Sequence, residues 1–187
     1  MGVGLFIALQ LVYNWVRFGN IFETGYEVAY KYHISLGPIY SFYRKFVPEG
    51  FPHFALLDLR NIPLHLATLF FMPPDFLPQP PYLRPSPYGM SILLTSPLLL
   101  FVKRAPLKLA LVRSIWLAIG LIALPNFLHF TQGWVQFGYR FALDFMPFLI
   151  LLLAIVIRKI TRIHLLLFIW SVLVNYWGIW WGIKLGW

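Results

Sequence analysis

The stretch Ile163–Ile183 reads IHLLLFIWSVLVNYWGIWWGI and contains no Asp, Glu, Lys or Arg. An α-helix needs about 20 predominantly apolar residues to cross the hydrocarbon core of a bilayer. A charge-free run of this length is typical of a transmembrane segment. The stretch therefore predicts a transmembrane helix in an integral membrane protein.

Composition extends this conclusion to the whole chain. Of the 187 residues, 60% are hydrophobic and only 11% are charged, which is more apolar surface than a soluble domain of this length can bury. The formal net charge is +9, but the basic residues lie in short gaps between apolar runs, as topology determinants do. We therefore expect the lipid bilayer as a partner and no nucleic acid. The chain has no cysteine and neither metal-ligand spacing nor a cofactor motif, so we expect no metal and no cofactor.

Further apolar runs predict the architecture. Together with 163–183, they indicate an all-α polytopic membrane protein with about five transmembrane helices in a single membrane domain, residues 1–187. The run 61–72 is too short to span, so it predicts an interfacial or re-entrant helix within a long outer loop, residues 17–87. If this run did span, residues 17–60 would be cytoplasmic instead. The other predicted spans cover residues 2–16, 88–102, 107–129 and 141–157.

Two short gaps between the predicted spans are strongly basic. Cytoplasmic loops are enriched in Lys and Arg, so we expect both gaps to be cytoplasmic. This orientation places the loop 131–139 and the C-terminus outside, and it predicts a multi-pass protein of the plasma (inner) membrane. The basic residues of the two gaps are Lys103, Arg104 and Lys108, and then Arg158, Lys159 and Arg162.

A first polar cluster follows the first apolar run and contains Arg17 and Glu23. Gly19 and Gly25 bracket Glu23 and permit tight backbone turns. A guanidinium binds phosphate oxygens bidentately, so Arg17 is positioned to meet a lipid phosphate. The alternative is an interfacial anchor, in which Arg17 snorkels to the headgroups and Glu23 is its solvated partner.

A second polar cluster, residues 133–144, lies on the same predicted side of the membrane. Arg140 and Asp144 are four residues apart on one helical face, so they can form an ion pair. The alternative is that Asp144, a costly charge at the start of an apolar span, orients Arg140 toward an anionic ligand. Trp134 fits an aromatic belt at headgroup depth, and the alternative is that it stacks on a sugar ring.

Acidic residues and histidines also occur along the outer segment and at the end of the run 107–129. They include Asp58, His65 and His129. No pair of them has the spacing of metal ligands on a helix, and nothing fixes the geometry of a general base. We interpret them as solvated loop residues.

Three motifs occur in order between Tyr13 and Leu153. They are Asn14-x-x-Arg17-Phe18-Gly19 with Glu23-x-Gly25-Tyr26, then Gly89 followed by apolar residues and Ser96-Pro97, then Gly133-Trp134-x-x-Phe137-Gly138-Tyr139-Arg140 with Asp144-x-x-Pro147. In this order and at this rough spacing, the chain resembles the GT-C-type membrane glycosyltransferases. These are the bacterial and archaeal relatives of protein mannosyltransferases and aminoarabinose transferases.

The resemblance implies transfer of a sugar from a polyprenyl-phosphate donor on the outer face of the membrane. It also implies a site in which two arginines bind the donor phosphate and the other residues complete the pocket. The substrate-binding residues implied are Arg17, Glu23, Tyr26, Trp134, Tyr139, Arg140 and Asp144.

In this family an Asp in the first outer loop, near the N-terminus, acts as the catalytic base. No outer loop with paired acidic residues precedes Asn14 here, so the resemblance implies the C-terminal part of such an enzyme, and the catalytic residue is unassigned. We expect an N-terminal glycosyltransferase portion as a partner and no turnover by the 187-residue chain alone. The alternative is a non-catalytic lipid-binding or small transporter-type membrane protein.

Overall fold

The computed structural model describes residues 2–23, 25, 28, 57–133 and 135–186. The chain divides into two units, Met1–Glu49 and Gly50–Trp187. The described residues are mostly helical and include a small two-stranded sheet. The α-helices are α1 (Gly2–Phe18), α2 (Ile62–Phe71), α3 (Ile92–Thr95), α4 (Ala110–Leu128), α5 (Met146–Val156) and α6 (Arg162–Leu185), and 3₁₀ helices cover Leu59–Asn61, Pro97–Arg104 and Arg140–Asp144.

In the first unit, α1 ends at a left-handed glycine. Gly19 has φ +69°, and its N–H donates to the Trp15 carbonyl at 2.8 Å, a helix end that glycine favours because it has no Cβ. The buried Asn14 side chain donates to the Ile21 carbonyl at 3.1 Å, so the following loop folds back on the last turns of the helix. The 17 residues of α1 extend about 26 Å, whereas a hydrocarbon core is about 30 Å thick.

The core of the second unit lies between α4, α5 and the segment formed by α3 and the 3₁₀ helix Pro97–Arg104. α2 packs on α3 and α4, and α6 packs along α3 and the same 3₁₀ helix. One face of α4 is buried because residues three and four positions apart lie on the same side of a helix. That face contains Val112, Ile115, Ile119 and Ala123.

Two described helices, α4 and α6, are long and apolar enough to cross a membrane, so the prediction of about five transmembrane helices is wrong. They correspond to the predicted spans 107–129 and 163–183. Only 22% of the most apolar window of α4 and 6% of that of α6 is buried, whereas a core helix of a soluble domain is mostly buried. Exposed apolar surface of this extent is unfavourable in water, so the two helices indicate membrane association.

The predicted span 88–102 is broken at Ser96. Pro97 has no N–H to donate, and its ring disfavours the helical conformation at the preceding residue. Ser96 accordingly has φ −144° and ψ 65°. The single α-helical turn α3 ends there and a 3₁₀ helix follows, so this segment contains no α-helix long enough to span.

The predicted span 141–157 is interrupted as well. The 3₁₀ helix Arg140–Asp144 ends at Phe145, which has φ −112° and ψ 3°, between the α and β regions. α5 then begins at Met146, with Pro147 in the first turn, where the missing N–H costs least. α5 has 11 residues and extends about 17 Å, roughly half of a hydrocarbon core.

The predicted short helix at 61–72 is present as α2. Its 10 residues extend about 15 Å, which is too short to cross a hydrocarbon core. Leu64, His65, Thr68 and Leu69 form its buried face. Its position at a membrane interface stays a prediction.

A short hairpin follows α2 within the proline-rich segment. β1 (Asp75–Phe76) pairs antiparallel with β2 (Leu83–Arg84), and Asp75 lies directly opposite Arg84. Their side chains form an ion pair at 2.8 Å. Opposite charges at directly paired positions favour this register of the two strands.

Candidate functional site

A cavity of about 330 Å³ opens where α3, the segment 135–146 and α6 meet. It brings together the second and third sequence motifs, and two of the predicted site residues, Tyr139 and Arg140, line it. Its polar lining residues come from three separate parts of the chain. The full lining is Ile92, Thr95, Ser96, Val135, Gln136, Phe137, Gly138, Tyr139, Arg140, Leu143, Met146 and Asn175.

The amide of Gln136 holds these motifs together. Its Nε2 donates to the carbonyls of Tyr88 at 2.7 Å and Gln132 at 2.8 Å, and its Oε1 accepts from the Arg140 backbone N–H at 3.0 Å. Gln136 is only 5% exposed, and a buried amide is costly unless it is hydrogen-bonded. Because both ends of the amide are bonded, Gln136 fixes the backbone of Arg140 against that of Tyr88.

Gly89 allows the two backbones to approach this closely. Its φ is +95°, and a Cβ at this position would lie 2.9 Å from Gln136 Nε2 and 3.0 Å from the Gly138 carbonyl oxygen. Any larger residue would therefore be strained in conformation and would push the 136–138 backbone away. The glycine of the second motif is thus required for contact with the third.

Side chains of α6 satisfy the carbonyls that the break at Ser96 leaves without helical partners. Since Pro97 cannot donate, the last carbonyls of α3 need other donors. Trp170 Nε1 donates to the Leu94 carbonyl at 2.9 Å, and Asn175 Nδ2 donates to the Thr95 carbonyl at 3.0 Å. In apolar surroundings an unsatisfied carbonyl is expensive, so these bonds hold α6 beside the cavity.

Tyr139 links the cavity lining to a fully buried histidine. His65 Nε2 lies 2.8 Å from the His129 carbonyl oxygen, and His65 Nδ1 lies 2.7 Å from the Tyr139 hydroxyl. A carbonyl can only accept, so Nε2 carries the proton and Nδ1 accepts from the tyrosine. The Tyr139 hydroxyl therefore donates into the protein, and Tyr139 positions the loop that carries Arg140.

Burial keeps this network uncharged. It lowers the pKa of His65 from 6.5 to about 4 and lowers the pKa of His129 as well. Burial is the main cause that raises the pKa of Tyr139 above its ordinary value, and the negative charge of Asp144 raises this pKa further. At neutral pH the His65–Tyr139 hydrogen bond therefore joins two neutral groups.

The prediction that His65 and His129 are solvated loop residues is wrong. His65 is 0% exposed because it lies on the inner face of α2. His129 is half-buried, and its Nδ1 lies 2.9 Å from the Thr131 carbonyl oxygen. The run 61–72 is too short for its periodicity to indicate which residues face inward.

Arg140 and Asp144 are both described, and they form no ion pair with each other. Asp144 Oδ2 instead accepts from Asn126 Nδ2 at 2.8 Å. The expected pairing assumed α-helical geometry, whereas residues 140–144 form a 3₁₀ helix, in which side chains three positions apart are aligned. The exposed Arg140 side chain thus remains at the cavity without a carboxylate partner among the described residues.

Arg17 and Glu23 lie in the first unit, where Arg17 contacts residues of α1 and Glu23 contacts the following loop. Arg17 Nη1 donates to the Tyr13 hydroxyl at 3.0 Å, and the guanidinium carbon lies 5.0 Å from the centre of the Phe18 ring. The side chain of Glu23 is buried, and its Oε1 accepts from the Gly25 N–H at 2.7 Å. The Glu23–Gly25 hydrogen bond stabilises the turn after α1.

Two predicted site residues, Tyr26 and Trp134, lie outside the described residues. Arg17 and Arg140 belong to different units. A single pocket containing both arginines therefore stays a prediction, and the described cavity is built from the second unit.

Sequence reasoning missed Gln136 and Asn175. Asn175 lies inside the apolar stretch 163–183, and a polar side chain within a membrane segment generally has a partner or a function, so this signal could have located it. Gln136 lies in a polar loop, where an amide is ordinary. Its importance arises from contacts with residues that are distant in sequence.

Comparison of the chain with protein-family models, curated proteins and solved structures finds no match. The chemistry of the site therefore rests on its geometry. The described lining contains one guanidinium, two amides, three hydroxyl groups and no carboxylate. The Gln136 amide, both N–H groups of Asn175 and the Thr95 and Tyr139 hydroxyls already bond within the protein. The Arg140 guanidinium, the Ser96 hydroxyl and the Asn175 amide oxygen can contact a ligand, and this set suits an anion with an adjacent hydroxyl group.

Proposed function

We propose that the chain binds a polyprenyl-phosphate sugar at the cavity beside Arg140, as the membrane-embedded portion of a glycosyltransferase. One observation carries this proposal: the second and third motifs, distant in sequence, surround one cavity and are joined by Gln136. A cavity with a few convergent polar groups is the usual place for a small ligand, and here the motifs of the resemblance supply those groups. We assign no catalytic residue.

The polar half of the ligand fits the lining. The Arg140 guanidinium presents parallel N–H groups that match two phosphate oxygens. Ser96 offers a hydroxyl group and Asn175 offers its amide oxygen for the hydroxyls of a sugar, since both N–H groups of Asn175 already donate to the Thr95 and Ser171 carbonyls. In this arrangement Arg140 binds the donor phosphate and the other side of the cavity contacts the sugar.

The apolar half of the ligand has a place nearby. A second cavity of about 290 Å³ lies between α2, α3, α4 and α5, and apolar residues make up its lining, including Leu69, Trp116 and Phe145. Ile92 lines both cavities. An isoprenoid chain in the second cavity would gain free energy by burial, with its phosphate toward Arg140.

The orientation of the chain in the membrane is part of the proposal. Both α4 and α6 begin beside basic residues, so both N-terminal ends face the cytoplasm of a plasma (inner) membrane protein. Because both helices then run outward, the 3₁₀ helix Arg140–Asp144 and α5 together return the chain to the cytoplasmic side between them, and the C-terminus lies outside. Alkaline phosphatase fused after Leu185 is expected to be active, and an inactive, cytoplasmic fusion would contradict this orientation.

The binding proposal is tested by measuring the dissociation constant of a polyprenyl-phosphate sugar for the purified chain in nanodiscs. Arg140→Ala removes a charge-assisted interaction with the phosphate, worth about 1.5–3 kcal/mol in total, so affinity should fall about 10- to 100-fold. Arg140→Lys keeps the charge but loses the bidentate geometry, and it should bind with intermediate affinity.

Arg113→Ala is the matched control, since Arg113 is an exposed arginine of α4 that does not line the cavity. Its affinity should equal that of the wild type. Unchanged binding by Arg140→Ala would refute the phosphate-binding role. Equal binding of a polyprenol without phosphate would show that the phosphate is not recognised.

A non-catalytic lipid-binding protein is the second candidate. The apolar lining of the 290 Å³ cavity favours it, because lipid binding needs no reactive group. Neither function requires turnover by the 187-residue chain alone, so recognition of the sugar distinguishes them. A glycosyltransferase portion should bind the polyprenyl-phosphate sugar more tightly than polyprenyl phosphate without a sugar, whereas equal affinity for the two would favour the lipid-binding protein.

A further inference from the structure

A basic cavity of about 420 Å³ lies at the N-terminal end of α6. Arg104, at the end of its 3₁₀ helix, and Arg158 and Lys159, after α5, line it together with His164 of α6. His164 and Asn175 are 11 positions apart in α6, which corresponds to about 16 Å along the helix axis. The basic cavity is therefore separate from the one beside Arg140.

Three cations, Arg104, Arg158 and Lys159, surround this cavity. Among the described residues, no carboxylate lines the cavity or pairs with any of them, and the sequence after Asp144 contains no Asp or Glu. Arg104 is held in place by its ring contact, with the guanidinium carbon 4.7 Å from the centre of the Phe101 ring. Like charges gathered around one cavity repel each other, and a bound anion removes that repulsion.

His164 adds a further hydrogen-bond donor to the same cavity. Its Nδ1 accepts from the Thr161 backbone N–H at 3.1 Å, so Nε2 carries a proton. The ring is fixed against Phe101, with 4.7 Å between the ring centres. Cations from two separate parts of the chain, together with an imidazole held in place, therefore surround the basic cavity. Basic pockets that bind phosphate headgroups have the same composition.

We propose that this cavity binds a phosphate group, and that its source is the headgroup of an anionic phospholipid. The apolar surface of α6 begins directly beside the cavity, where Ile163, Leu165 and Leu166 are exposed. A headgroup in the cavity places its acyl chains along this surface. Free inorganic phosphate offers the same anionic oxygens without acyl chains, so it is the alternative source.

The test titrates short-chain phosphatidylglycerol, zwitterionic short-chain phosphatidylcholine and inorganic phosphate separately onto the full 187-residue chain in nonionic detergent. The dissociation constants are taken from the shift of the thermal unfolding midpoint. The cavity variant combines Arg104→Gln, Arg158→Gln and Lys159→Gln. Each cation beside an anionic lipid contributes about fivefold in affinity, so phosphatidylglycerol should bind on the order of 100-fold more weakly.

The matched control combines Lys103→Gln, Lys108→Gln and Arg162→Gln, which removes the same charge nearby but from residues that do not line the cavity. Its phosphatidylglycerol affinity should stay within about twofold of the wild type, because the contacts of the cavity are intact. The double variant Arg158→Gln/Lys159→Gln serves if the triple variant does not fold, with an expected loss of about 25-fold.

Equal loss in the cavity and control variants would overturn the proposal, since diffuse surface charge would then explain binding. Equal affinity for phosphatidylcholine, or binding of neither anion, would also overturn it. Phosphatidylglycerol binding that inorganic phosphate does not displace supports the lipid source. Displacement by inorganic phosphate at comparable concentration supports the same anion site with a soluble ligand.

Discussion

Replacing His65 with glutamine should remove most of the acid sensitivity of the second unit. His65 is fully buried, and burial lowers its pKa from 6.5 to about 4. A glutamine can reproduce both roles of the ring, since its amide nitrogen can donate to the His129 carbonyl and its oxygen can accept from Tyr139. The variant therefore keeps the hydrogen bonds and removes the titration.

The magnitude follows from the difference between the folded and unfolded pKa. Above pH 6.5 the imidazole is neutral in both states, and its pKa shift does not affect stability. As the pH falls below 6.5, the unfolded chain binds a proton that the folded protein excludes, so stability decreases until about pH 4. With about 1.4 kcal/mol per pKa unit, the loss is about 2 kcal/mol at pH 5 and about 3 kcal/mol at pH 4.

The assay is chemical denaturation of the detergent-solubilised chain between pH 7.5 and pH 5. Wild type should lose about 2 kcal/mol of unfolding free energy from His65, whereas His65→Gln should lose only the smaller part due to other groups such as His129. Tyr139→Phe is the matched comparison. It leaves a buried Nδ1 without its donor, which costs about 1–3 kcal/mol at neutral pH, but it retains a titrating histidine. An identical pH dependence in wild type and His65→Gln would refute the reasoning.

Three further substitutions test the packing of α6. A Cβ at Gly178 would clash with the Phe137 ring, so Gly178→Ala should displace Phe137, destabilise the fold by about 1–3 kcal/mol and weaken donor binding. Gly182→Ala, where a Cβ meets nothing within 4 Å, should instead stabilise α6 by up to about 1 kcal/mol, and equal thermal shifts in the two variants would contradict this contrast. Asn175→Leu should cost about 1–3 kcal/mol in denaturation because it leaves the Thr95 carbonyl without its side-chain donor, and an unchanged unfolding free energy would show that this bond is dispensable.

Local sequence patterns located the long helices because hydropathy and length are local properties. The runs 107–129 and 163–183 correspond to α4 and α6. The same criteria failed for 88–102 and 141–157, where Pro97 and Pro147 interrupt apolar runs that a hydropathy average treats as continuous. A proline changes backbone geometry without lowering the mean hydropathy enough to signal the break.

The site was predictable only in part. Arg140 and Tyr139 stood out in a motif, and both line the cavity. The partner of Asp144 was not predictable, because the 3₁₀ conformation of residues 140–144 directs that side chain to Asn126 of α4. The pairing depends on where a distant helix lies.

The sequence by itself determined that the chain is membrane-associated and where its two long apolar helices run, because these follow from composition along a continuous segment. Only the tertiary structure decided which polar groups meet. His65 is neutral and buried because α2 packs beside His129 and Tyr139, and Asn175 contributes to a cavity because α3 ends early at Ser96. These contacts join residues that are many positions apart in the sequence. They form because leaving a polar group unpaired in the interior costs free energy, and no local conformational preference could have indicated them.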